Sequence, residues 1–243
     1  MTIAVWIDDR LVQYQINADR PGITFNDDWD NLGQRLTASG TLEFNRLRLR
    51  DKDRLTGLDD NPHSARLRNA LRNQFSQLIF VHFYLGIAEG ALTHAAAYFR
   101  DIVRPWPESG VDNALDDPYH RLKAGELSAD LAAGIALAEK TAQAYQNAFN
   151  AGDELTETQW GELALLTDQA KIIANDVALK ISNEIFELTG GRSTSNQYGL
   201  DVFWRNVRTH TLHDPVTYRT REVGDFVLSG KLPTPRVYFP PKR

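Results

Sequence analysis

Residues 189–221 read TGGRSTSNQYGLDVFWRNVRTHTLHDPVTYRTR and carry the densest polar chemistry in the chain. Gly190-Gly191 is a hinge, Arg192-Ser193-Thr194 opens a polar loop, and a short aromatic helix leads into the step His210-Thr211-Leu212-His213. Asp214-Pro215 then reads as a fresh helix start, Asp as N-cap and Pro at the first helical position. A helix that must end at Gly190 and another that must begin near Pro215 fold the chain back on itself. The helices upstream decide what it folds against.

Working backward, Thr156 and Gln159 form a capping-box pair, with Leu155 and Trp160 placed as a hydrophobic staple. The helix they open buries Leu163, Leu166, Ala170, Ile173, Val177, Ile181, Ile185 and Leu188, and closes at Gly190. Before it, a helix starts at Asp117-Pro118, with Leu127, Leu131, Ile135, Ala138, Ala142, Tyr145 and Phe149 on its seam; Gly125 is a candidate kink. Earlier still, Leu67, Leu71, Phe75, Leu78, His82, Leu85, Leu92, Phe99 and Val103 step by threes and fours. That predicts a helix of roughly 40 residues, about 60 Å long, ended by Arg104-Pro105-Trp106-Pro107. Forward of the opening stretch, a last helix runs from Pro215 to about Leu228 and is closed by Gly230. The fold class is mainly α, an antiparallel four-helix bundle.

The front of the chain has the other period. Ile3–Ile7 and Leu11–Ile16 flank Asp8-Asp9-Arg10 as a hairpin, and Ile23, Phe25, Leu42 and Phe44 alternate with polar residues as strands do. This small β-sheet, marginal alone, is expected to pack on helices or pair elsewhere. A strand opening at the first residue is expected to have lost something upstream. The organisation is therefore 1–50 β, 51–62 a polar linker, and 63–243 the helical bundle with its tail.

Of 243 residues, 42% are hydrophobic and 24% charged, with net charge −5 and no cysteine. The acidic balance argues against nucleic acid, and the lack of thiols excludes disulfides and thiolate metal sites. No apolar run is expected to span a membrane, and no signal-peptide pattern opens the chain. The expected home is the cytoplasm.

His210 and His213 suit proton transfer to one bound group; the plain alternative is a pair of half-exposed histidines at a helix end. No metal site is assigned, because carboxylate ligands at helical spacing are lacking. Asp214 has capping as its ordinary reading. Gly190-Gly191-Arg192-Ser193-Thr194 can cradle a phosphate with backbone N–H groups, the Arg fork and two hydroxyls, or simply cap a helix. Arg104 beside Trp106 is an anion or stacking candidate, against a solvated helix end. Arg68 and Arg72 belong to a solvated side, His82 and Glu89 to a core pair, and Trp29 to packing or a pocket wall.

Taken together, Trp29-Asp30-Asn31-Leu32-Gly33-Gln34-Arg35, Arg104-Pro105-Trp106, Gly125-Glu126-Leu127, Gly190-Gly191-Arg192 and His210-Thr211-Leu212-His213-Asp214-Pro215 resemble the acyl-CoA dehydrogenase superfamily. The flavin-dependent monooxygenase branch, with dibenzothiophene monooxygenase among its members, is the nearer likeness. The resemblance covers nearly the whole chain but only the back of the family's architecture, without the N-terminal helical domain and the front of the middle β-domain. It implies FMN as cofactor, with Arg104 and Arg192 on the flavin phosphate, commonly across a subunit boundary. Gly190 and Gly191 belong to the same cofactor-binding segment. It places His210 and His213 beside the flavin ring and Trp29 near flavin and substrate. It also implies a homo-oligomer, dimer or tetramer, and a flavin reductase as partner. Acyl-CoA dehydrogenases hold a glutamate base followed by Gly-Thr where this chain has Asp214-Pro215-Val216. The alternative activity is therefore an FAD-dependent acyl-CoA dehydrogenase with Asp214 as a displaced base, and a further one a non-catalytic helical oligomerisation module.

Overall fold

The computed structural model describes residues 1–7, 10–55 and 62–235. The Asp8-Asp9 connection, the second half of the linker, the Arg68 side chain and the tail beyond residue 235 lie outside the described residues. Strands β1 (Thr2–Ile7) and β2 (Arg10–Gln15) pair antiparallel, Val5 opposite Val12, and β3 (Ile23–Phe25) pairs with β4 (Leu42–Phe44). These are two separate hairpins rather than one sheet. The first is extended by residues 54–55, where Leu55 N–H donates to Gln13 O at 2.9 Å. Arg20 forks onto Asp53 at 2.6 and 2.9 Å and ties the start of the linker to the hairpins.

The bundle consists of α1 (Pro62–Ile102), α2 (Pro118–Ala151) and α3 (Glu157–Thr189), with α4 (Asp201–His210) and α5 (Thr217–Ser229) sharing the fourth place. Their starts follow from local chemistry. The Asp117 side chain accepts from Tyr119 N–H ahead of Pro118, and Thr156 and Gln159 close their capping box. Leu155 and Trp160 are both buried in one cluster with Leu67, Leu71, Ala148 and Leu163. At the opposite end Phe99 packs on His120, centroids 4.9 Å apart. So α1 runs alongside α3 and against α2, and the chain goes up, down, up and down.

The seams are rotated relative to the apolar spacing in places. His82 and Glu89 are exposed rather than a core pair, and Phe75 is half exposed. The inner face of α1 is made by Val81, Tyr84, Ala88, Ala91 and Ala95, and the alanines of its second half let helices approach closely. At Gly134 a Cβ would come within 2.8 Å of Leu85, so α1 and α2 cross where one partner has no side chain. The central helix, α3, is buried almost all round. Contrary to the expectation for membranes, α1 holds a stretch, Ala70–Ile102, long and apolar enough by length and composition to cross one. Here it packs against α2, α3 and α4 as a core helix of the same composition does.

The fourth helix is interrupted at residues 211–216. Leu212 and His213 N–H donate three residues back, to Thr209 O and His210 O, and Pro215 has no N–H with which to continue. The helix expected from Pro215 therefore begins at Thr217. Asp214 does not cap it, since no side-chain capping bond is made there. The reason is electrostatic: the carboxylate turns inward to two buried cations.

Candidate functional site

The interruption of the fourth helix delivers His210, His213 and Asp214 against one stripe of α1. Gln77, Phe80 and Tyr84 recur at three and four residues, so they share a face, and Phe83 adjoins it. The His210 ring meets Phe80 edge-on at 4.7 Å between centroids, Tyr84 edge-on at 5.5 Å and Phe83 tilted at 5.0 Å. His213 stacks on His210 at 5.6 Å and 14°, and also meets the Phe80 ring at 5.6 Å. The two imidazoles thus stand parallel over an aromatic floor although His213 lies beyond the end of α4.

Tyr84 fixes the inner ring. Its hydroxyl is 3.0 Å from His210 Nδ1 and donates to His210 O at 3.2 Å. With Nδ1 engaged, Nε2 makes no hydrogen bond among the described residues. Burial, then the neighbouring His213 and Lys171, push His210 down to about 4. It is a neutral imidazole at physiological pH; with the Tyr84 hydrogen directed to His210 O, Nδ1 carries the ring proton and Nε2 is left as an acceptor. Burial, then Asp214, raises the Tyr84 phenol, which keeps its proton.

Beneath this pair lies a charge cluster that apolar spacing did not reveal. Lys171 of α3 is 1% exposed; its ammonium donates to Gln77 Oε1 at 2.8 Å and stands 3.8 Å from Asp214 Oδ2. It also sits over the rings of Phe80, at 4.7 Å, and Tyr84, at 5.6 Å. Arg219 of α5 reaches Asp214 at 3.4 Å and Asp168 of α3 at 3.5 Å. Burial lowers Lys171 to about 8, against the attraction of Asp214, and raises Asp168 to about 7, against that of Arg219. One signal in the sequence could have found them. Lys171 falls on the row Leu163, Thr167, Ala170, Ala174, Ala178 and Ile181, where a helical period requires burial.

The loop carrying Trp29 comes to the same end of α4. Trp29 Nε1–H donates to Gln34 O at 2.8 Å within its own loop, and Gln34 N–H donates to Asn206 Oδ1 at 2.8 Å. Asn206 is one turn before His210. Gly33 lies so close to Arg205 O that a Cβ there would stand 2.0 Å away. The loop is therefore seated on α4 by backbone contact.

The proposed phosphate ligands are elsewhere. Arg192 is exposed in the short 3-10 turn Gly191–Thr194 and its field is felt at Tyr98. Tyr98 is 14 residues along α1 from Tyr84, about 20 Å at 1.5 Å per residue. Arg104 is exposed just beyond the end of α1, farther still. Neither guanidinium makes an ion pair among the described residues. Gly190, at φ 73°, caps α3 with its N–H on Phe186 O. The two hydroxyls expected at a phosphate are engaged locally, Ser193 with Thr189 Oγ1 and Gly190 O, and Thr194 with Gly191 O. Ser193 is buried, so its hydroxyl has to find its partners within the turn. Within one chain, then, the histidines, Asp214 and the Trp29 loop come together, while Arg104, Gly190, Gly191 and Arg192 form a second region.

Residues 78–217 match the acyl-CoA dehydrogenase C-terminal domain. The chain belongs to the acyl-CoA dehydrogenase family. Among its relatives, a dibenzothiophene monooxygenase of Mycolicibacterium goodii is 43% identical over 228 residues, covering 93% of this chain and 55% of that protein. A probable FMNH2-dependent monooxygenase, SfnC, of Pseudomonas putida is 39% identical over 242 residues, 98% of this chain and 60% of that protein. The crystal structure of FMN-bound TdsC from Paenibacillus sp. A11-2 superposes with a TM-score of 0.87 at 38% identity, covering 95% of this chain and 58% of that one. This family member thus spans a little over half the length of the relatives it matches. Its likeness is to the monooxygenase branch. Asp214, which the resemblance sets against the dehydrogenases' base, is here engaged by Lys171 and Arg219.

Proposed function

We propose that the chain is the helical part of a flavin-dependent monooxygenase that uses reduced FMN and O2 to oxygenate a small sulfur- or nitrogen-containing compound. The observation that carries this reading is the parallel His210–His213 pair on the Phe80, Phe83 and Tyr84 floor, with His210 held neutral by burial. Support comes from the FMN in TdsC and from the relatives' names, which point to FMNH2 and to a sulfur heterocycle.

Reduced FMN, when bound, supplies the two electrons with which O2 is divided between product and water. The chain's share is geometry and protons. The aromatic floor excludes water from one side of the reacting atoms. His210 Nε2, left bare by the Tyr84 contact, takes up a proton that the reaction releases and returns it. Arg104 and Arg192, exposed and without carboxylate partners among the described residues, have the donor set for a phosphate dianion. They stand near the far end of α1 from the imidazoles, about 20 Å along the helix, so in this reading they serve the flavin seated on the histidines of a second copy. This makes the chain part of a homo-oligomer, dimer or tetramer. Reduced FMN must be renewed each turnover, which calls for a flavin reductase as partner, in the cytoplasm.

The test is oxygenation of dibenzothiophene with reduced FMN under air. A variant carrying both His210→Ala and His213→Ala is expected to lose at least about a hundredfold in rate, the usual worth of a positioned acid or base, while FMN binding persists. Oxygenation by that variant at the parent rate would remove the histidines from the chemistry.

A further inference from the structure

We propose that Lys171 is a positioning residue for the imidazole pair: set between Asp214 and the faces of Phe80 and Tyr84, it fixes where the His210 and His213 rings stand. The inference rests on the reading of those histidines as the working pair. A buried ammonium costs stability unless fully compensated, and Lys171 has one hydrogen bond, to Gln77, and one carboxylate at 3.8 Å. The other buried polar groups on this face of α3 include Thr167 and Ser182, whose hydroxyls bond carbonyls of α3 itself. Lys171 alone sends a full charge across to α1 and to the turn after α4.

What Lys171 touches is what the imidazoles touch. The Phe80 ring carries the ammonium on its face and both histidine rings on its edge. Tyr84 lies under the same ammonium and bonds His210 through its hydroxyl. Asp214, drawn inward by Lys171 and Arg219, adjoins His213 and anchors the turn that presents it. Each path from the ammonium reaches an imidazole through a single intervening residue. The charged and titratable groups around it come from every packed element: Tyr84 from α1, Asp168 from α3, Arg208 from α4, His213 and Asp214 from the turn, and Arg219 and Glu222 from α5. The positive charge also opposes protonation of His210.

The experiment uses the unmodified, flavin-free protein, selectively labelled with 15N in histidine and lysine and titrated from about pH 5 to about pH 10. The Lys171 ammonium, pushed down to about 8, is followed through its own signal. As it loses its proton, the His210 ring signals are expected to pass through an inflection at the same pH, although His210 itself is already neutral. In Lys171→Met, with folding verified by its melting curve, that inflection disappears. Asp168, pushed up to about 7, is one competing source, and an inflection that survives in Lys171→Met comes from another neighbour and overturns the proposal. Flat His210 signals through the Lys171 transition of the parent overturn it as well, and this holds even where Lys171→Met does not fold. No flavin enters the measurement, so a negative result here leaves FMN binding untouched, and a failure to bind FMN leaves this result standing.

Discussion

His210 is held by a hydroxyl, two phenyl rings and a second imidazole, and each does something different. The Tyr84 hydroxyl sets which ring nitrogen is left over; Phe80 and Phe83 take water away; His213 and Lys171 add positive charge that disfavours a proton. Tyr84→Phe removes the hydroxyl's two hydrogen bonds to His210, each worth about 1 kcal/mol, and a loss of that order is expected in urea denaturation together with a change in the His210 ring signals; unchanged ring signals would mean the hydroxyl does not orient the ring. The pH dependence has a definite sign. His210 has a folded value of about 4 against 6.5, so its contribution to stability is complete above about 6.5 and is lost as pH falls through about 4. Asp168, raised to about 7, works oppositely: its contribution is complete below its ordinary value of 3.8 and is lost as pH rises through about 7. Between about pH 6.5 and about pH 4 the two contributions oppose each other, so the test is the difference: the melting temperature of the parent should fall relative to that of His210→Ala as pH drops through this range; an equal slope in both proteins would refute the burial argument. The two histidines were legible in the sequence because their spacing and their Asp-Pro neighbour are unusual. Lys171 was passed over: its row marks it as buried, but the groups that compensate it, Gln77 and Asp214, come from other elements.

At the scale of elements, the site depends on a helix that fails to continue. The apolar spacing and the caps gave α2 and α3 their starts to the residue, since Asp117 and Thr156 have no better partner than the backbone in front of them. Asp214 was misread for the converse reason. In the folded bundle Lys171 and Arg219 outcompete the orphan N–H groups of α5 for its carboxylate, and those cations come from 43 residues before and 5 after (214 − 171 and 219 − 214). No local rule contains that. The Trp29–Arg35 loop is a second element-scale device, seated on α4 through Gly33 and Gln34. Gly33→Ala would press a Cβ against Arg205 O, an overpacking of about 1–3 kcal/mol. The expected results are a lower urea midpoint and loss of the Gln34–Asn206 bond; a stability equal to the parent would show that the loop is not docked as described.

For the molecule as a whole, the up-down-up-down course was readable from four helix starts and their stops, because short polar connections leave long amphipathic helices no other way to bury their seams. The exposed hairpin residues Trp6, Phe25 and Phe44 and the distance between the two arginines and the two histidines were not readable, since neither is a property of periodicity. That separation is the pivot of the proposed function, in which one chain would supply imidazoles to one flavin and guanidiniums to another. The direct measurement is complementation. Chains carrying Arg192→Ala are mixed, unfolded and refolded with chains carrying His210→Ala, and oxygenation with reduced FMN is followed. Each variant alone is expected to be inactive, and a random two-fold mixture to regain about a quarter of the parent rate, because half of the pairs are mixed and each of those has one intact site. A mixture no more active than the two variants measured separately would contradict the shared site.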